Sequence, residues 1–149
     1  MKIIHENGAR KEAEHPKGSI PPNALNLTCG SKLQPVVIGL GCMTRSIPVR
    51  ITDSRECAIY QGVMSSEEVD AGDEATKKKA WWHGKLGVSA QTLVVLYKPT
   101  TEKHWTKPSD LTLDDSTRAH PLGTVRIVNV SPMPIMIQIN GKKAFAISP

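Results

Sequence analysis

The residues best suited to contact a ligand are gathered in "WWHGK", Trp81–Lys85. Two adjacent tryptophans in a β-strand point to opposite faces, so one can enter the core while the other meets solvent. An exposed indole beside His83 stacks on a sugar ring or anchors a protein partner. Trp105, in the long connection "EKHWTKP", is placed to join the same patch. Trp81, Trp82, His83 and Trp105 are therefore the candidate ligand- or partner-binding residues. The competing structural reading has both rings of the pair covering the ends of a sandwich.

Other reactive residue types do not assemble into a motif. His83, His104 and His120 fall in separate loops, with neither His-x-His nor His-Glu-x-x-His spacing. No Gly-x-Ser-x-Gly nucleophile turn and no Gly-rich phosphate loop is present. Asp114 and Asp115 are a carboxylate pair, yet a calcium site takes about six to eight oxygens. "DDS" ahead of a strand instead reads as a turn held by side-chain to backbone bonds. Cys29, Cys42 and Cys57 are odd in number and form no Cys-x-x-Cys. They read as small residues in or beside strands, or as one disulfide if the protein is exported. The expectation is no catalytic residue, no metal, no cofactor and no enzymatic activity.

The elements that position these residues are short and β-like. Eleven glycines and eleven prolines in 149 residues, with 4% aromatics, favour a turn-rich domain over a helical bundle. A chain this long buries about 68–70% of its unfolded surface around one core. The net charge is +5, but the lysines are interleaved with acids, as in "SSEEVDAGDEATKKKA". Scattered charge is a solvated surface, so no nucleic-acid footprint is expected. No apolar run reaches the roughly 20 residues of a membrane span. The first residues also lack the apolar stretch of a signal peptide.

Residues 1–24 are charged and rich in Gly and Pro, which predicts an extended arm needing contacts from a neighbour or a groove. Strands are predicted over Pro35–Leu40, Ser46–Ile51, Cys57–Val63 and Thr92–Pro99, the last as a central strand. Pro48 cannot donate to a ladder and marks its strand as edge or bulged. "TDSRE" is a turn, and Met64–Ala80 is a short helix or a surface loop. "DLTL" and three segments of the tail complete the set, from Val125, over "PIMIQI" and over "KKAFAI". Asn140-Gly141 marks a hairpin. A two-residue turn there would separate Phe145 from the isoleucines. A three-residue loop would gather Ile135, Ile137, Phe145 and Ile147 on one face, and their burial favours it.

"LTLDDSTRAHPLGTVRIVNVSPMPIMIQINGKKAFAISP" resembles the C-terminal half of an uncharacterised family of exported bacterial β-sandwich proteins. The matching positions are Asp114, Asp115, Ser116, Pro121, Gly123, Val125, Arg126, Val128, Asn129, Ser131 and Pro132. "SIPVRITDSRECAIYQ" is loosely similar to that family's middle hairpin, so about half the chain is covered. The resemblance implies a sandwich in a cell-envelope or extracellular setting, and no activity.

The expected fold is all-β: one antiparallel Ig-like β-sandwich of about seven or eight strands over residues 25–149, preceded by the arm. The expected function is a non-catalytic structural or assembly subunit. It would bind protein neighbours, in a homo-oligomer or larger assembly, through the arm and an exposed β edge. The alternative is a carbohydrate- or other ligand-binding module using the loop tryptophans. Asp114, Asp115, Asn140 and Gly141 are assigned to structural turns.

Overall fold

The computed structural model describes residues 3–6, 9–12, 16–30, 32–38, 46–62, 78–142 and 144–149. Among them the chain is all-β. The ten strands are β1 (Ile3–Glu6), β2 (Ala9–Glu12), β3 (Leu25–Thr28), β4 (Gln34–Val36), β5 (Glu56–Gln61), β6 (Trp82–Lys85), β7 (Thr92–Tyr97), β8 (Ser109–Asp114), β9 (Ile135–Ile137) and β10 (Phe145–Ile147). They do not form one sandwich. β4-β3-β5-β6 make a four-stranded sheet, while β1-β2, β7-β8 and β9-β10 are separate two-stranded ribbons. Residues 25–149 thus hold eight strands in three unclosed sheets, and the first 24 carry a hairpin of their own.

The four-stranded sheet is organised around β5, whose Cys57, Ala58, Ile59 and Tyr60 are all buried. Alternate residues of a strand face opposite ways, so this run must be covered on both sides. On one face Cys57 and Ile59 join Leu25, Cys29, Val36, Trp81 and Trp82. On the other, Ala58 and Tyr60 pack with Ala80 and Leu33. β7 covers the first face through Val94 and Leu96. The predicted central strand therefore lies in a two-stranded ribbon, laid on the core by its side chains rather than inserted in the large sheet.

Register explains the disulfide. β3 and β5 pair antiparallel with Thr28 opposite Ala58, so the next step along the ladder brings Cys29 opposite Cys57. Their Cα atoms are 4.1 Å apart and the sulfurs are bonded. Cys42 lies outside the described residues. β3 was not anticipated from sequence, because "LNLT" is short and follows directly on a Pro- and Asn-rich lead-in.

Two expected strands are absent from the ladders, which is why the sandwich does not close. Alternation over Ser46–Ile51 predicts Ile47, Val49 and Ile51 inward; Ile47 and Val49 do face the core, Ile51 is 36% exposed, and the segment belongs to no strand. Pro48 lacks an N–H, and the segment's link to β4 is a bond of 3.4 Å from the Gln34 side chain to the Pro48 carbonyl. Val125–Val128 is likewise outside any strand. The predicted helix or loop over Met64–Ala80 falls largely outside the described residues.

The closing hairpin takes the two-residue turn and not the three-residue loop that burial favoured. Asn140 and Gly141 have φ of 50° and 68°, and the Lys142 N–H donates to the Ile139 carbonyl at 3.0 Å. That is the two-residue turn the Asn-Gly pair favours. Farther out, Ile137 pairs with Phe145 and Ile135 with Ile147. Two steps on one strand match three on the other, a one-residue offset of the bulge kind. The offset places all four large residues on one face. Their expected burial does not follow, since Phe145 remains 46% exposed.

Replacing Cys29 and Cys57 together by Ser reopens a loop of 28 residues. The unfolding free energy from urea titration should fall by about 3–4 kcal/mol.

Candidate functional site

The segment leading into β6 meets the segment leading into β8 at a cleft open to solvent. One compartment of about 230 Å³ is lined by Trp81, Trp82, His83, Lys78, Lys107 and Asp110, with Ala80 and Pro108 between them. A second, of about 410 Å³, shares Lys78, Ala80, Trp81 and Lys107 and extends past Lys79, Gln61 and Thr106.

Trp81 precedes the ladder rather than sitting in it, since β6 begins at Trp82. Its backbone N–H donates to the Ile59 carbonyl at 2.8 Å. The opposite-face rule for strand neighbours therefore does not apply, and both rings enter the same core, each 4% exposed. The expected division into one core and one exposed tryptophan is corrected accordingly. The Trp82 ring lies over Gly84, two residues along the same face. A Cβ at Gly84 would meet its Cζ2 at 2.4 Å.

Trp105 sits behind Trp81. Their ring centroids are 6.3 Å apart at 33°, and the Trp81 indole N–H donates to the Trp105 carbonyl at 2.8 Å. The Trp105 N–H donates in turn to the Gly18 carbonyl at 2.9 Å. Gly18 has φ of 79° and packs against the His104 ring, so the end of the arm is docked on this loop. His83 is exposed at the cleft.

The aspartates of the Asp-Asp-Ser segment hold a turn. Asp114 Oδ1 accepts from the Ser89 hydroxyl at 2.6 Å and from the Ser116 N–H at 2.9 Å. Arg126 clamps the same turn, donating to Asp115 Oδ1 at 3.0 Å and to the Asp114 carbonyl at 2.8 Å. His120 Nδ1 lies 3.7 Å from Asp115. The Ser89 hydroxyl, and then the Ser116 groups, hold the Asp114 carboxyl below its ordinary value of 3.8. Asn129 performs the matching task in the tail. Its amide donates to the carbonyls of Met133 at 2.8 Å and Ile147 at 3.0 Å, while its Oδ1 accepts from the Ser131 N–H at 3.0 Å.

The structure thus brings Trp81, Trp82 and His83 to one cleft, with Trp105 bracing it from behind. Sequence reasoning missed Lys78, Lys107 and Asp110. The adjacency of the lysine trio to the tryptophan pair is the available signal, which the sequence alone assigns to a helix end or to a surface loop; Lys78 and Lys79 are helical. Among the described residues no group of three or more His, Cys, Asp or Glu is arranged to hold a metal ion. No described helix is long and apolar enough to cross a membrane. No family model, curated protein or solved structure matches this chain.

Two outcomes are expected. Gly84→Ala forces the Trp82 ring aside and should lower stability by about 1–3 kcal/mol, read from chemical denaturation. A depressed carboxyl stabilises the fold fully above its unfolded value and loses that contribution as pH falls through its folded one. The Ser116 amide proton, followed by NMR, should therefore titrate with a midpoint below 3.8. Asp114→Asn should abolish the transition.

Proposed function

We propose that this chain is a non-catalytic β module that docks protein neighbours, including further copies of itself, through its C-terminal ribbon and N-terminal arm. The observation that carries this reading is the state of the tail. Among the described residues, Val125–Val130 makes no backbone–backbone hydrogen bond, although "VRIVNV" has strand-forming composition. Val125 is 82% exposed, and Met136 on one face of the ribbon and Phe145 on the other are 67% and 46% exposed. An isolated two-stranded ribbon is at best marginally stable in water, and no β9 or β10 side chain belongs to the buried clusters. Strand addition by a neighbour supplies hydrogen bonds to such a segment and covers apolar side chains in one step.

The Cys29–Cys57 disulfide supports an oxidising compartment for this work. The buried tryptophan rings leave no broad stacking platform of the kind a neutral sugar uses, so protein docking is favoured over the carbohydrate alternative.

Native mass in solution tests the reading. The full chain should exceed the 16.2 kDa of one copy in a concentration-dependent way. Ile127→Lys with Val125→Lys should weaken association at least about tenfold, and deletion of residues 1–24 should also reduce the mass. A wild-type chain that stays at one copy and captures no strand-donating peptide at its tail would overturn the reading.

A further inference from the structure

We propose that Asn140 is a site of self-modification: its side-chain amide is lost to the backbone of Gly141, and the isoaspartate that results dismantles the closing ribbon. The chemistry does not depend on the docking reading above; only its effect on association does.

Asparagine is among the chemically labile side chains, and a following glycine, having no Cβ, leaves its own backbone nitrogen unshielded beside the amide. Asn140 and Gly141 are both exposed, and a Cβ built at Gly141 would meet nothing within 4 Å. Among the described residues neither the Asn140 side chain nor the Gly141 N–H has a hydrogen-bond partner. Asn129 shows the contrast. Val130 follows it, and its amide is held by the carbonyls of Met133 and Ile147.

The step needs no reagent but water. The Gly141 nitrogen gives its proton to solvent base and bonds to Asn140 Cγ; the Cγ–Nδ2 bond breaks and that nitrogen leaves as ammonia. Water then opens the cyclic imide. Addition at the former side-chain carbonyl gives aspartate, and addition at the main-chain carbonyl gives isoaspartate.

The closed turn holds the reaction in check. Asn140 and Gly141 have φ of 50° and 68°, and ring closure requires the peptide plane between them to turn out of that geometry. What has to open is small: the one bond from the Lys142 N–H to the Ile139 carbonyl and three residue pairs. A ribbon of two strands is marginal in water, and Asn129 pins this one through Ile147, at the end away from the turn. The turn end therefore opens locally, without unfolding of the core.

The two products differ in effect. Aspartate leaves the turn usable, since Asp-Gly suits the same geometry as Asn-Gly. Isoaspartate sets an extra methylene in the main chain inside a two-residue turn, so the Ile139–Lys142 bond and the pairing of Ile137 with Phe145 are lost together.

The full chain is incubated at mildly alkaline pH, in dilute solution where association is least, until a synthetic peptide of residues 137–142 has fully reacted beside it. Peptide mapping with isoaspartyl methyltransferase labelling should find isoaspartate at position 140, formed more slowly than in the free peptide. Mapping separates it from any product at Asn7-Gly8, the other Asn-Gly pair of the sequence, which lies outside the described residues. NMR contacts between Ile137 and Phe145 should disappear in the isoaspartate fraction. Asn140→Gly keeps a turn-forming pair and removes the amide, so it should give no product there and retain the contacts. On the docking reading, the incubated wild-type chain also loses association while the variant keeps it; a ribbon lost with native mass unchanged overturns that reading and not this one. An Asn140 amide still intact when the peptide is exhausted, or an isoaspartate chain that keeps the Ile137–Phe145 contacts, overturns the proposal.

Discussion

Strand β5 has to be dry on both faces at once, and the rest of the structure is arranged around that requirement. Cys57 and Ile59 call for one cover, Ala58 and Tyr60 for another. The first is provided by the disulfide to Cys29, the two tryptophans and the side chains of β7. The second is smaller and uses Ala80 and Leu33. A four-stranded sheet with one well-buried strand has little apolar area for its size, and small cores of this kind are commonly reinforced by covalent cross-links. The disulfide joins the two strands whose pairing sets the position of everything else.

The motif residues of the tail act on the backbone rather than on a substrate. Arg126 reaches back to the Asp114-Asp115 turn, and Asn129 reaches forward to Met133 and Ile147. These contacts let Val125–Val130 pass between two anchored points without a ladder of its own. A pattern of Arg, Asn, Ser and Pro around apolar positions is thus explained by turn geometry and side-chain anchoring alone.

Where local chemistry decided the outcome, the sequence was readable. The all-β class, β5, β7, the Thr52–Arg55 turn and the Asn140-Gly141 hairpin follow from alternation and turn residues. Pairing was not readable, because alternation shows which way a side chain faces and not which strand lies beside it. Ile47 and Val49 turned inward as expected without joining a sheet, and Val125 and Ile127 stayed at the surface. The offset in the last hairpin shows the same limit: the face of Phe145 was foreseen, its register and exposure were not. The cleft was half legible. Its tryptophans were conspicuous as residue types, but their burial depended on β6 starting at the second residue of the pair, and its lysines come from segments far apart in sequence.

The contact between the arm and the core has an optical corollary. The Gly18 carbonyl holds the Trp105 N–H, and the Trp105 carbonyl holds the indole of Trp81. An event that lifts the first residues away from the loop frees the backbone N–H of the same residue whose carbonyl polarises a shielded chromophore. The intrinsic emission of the molecule is therefore expected to report, without an added dye, on whether its leading segment is seated.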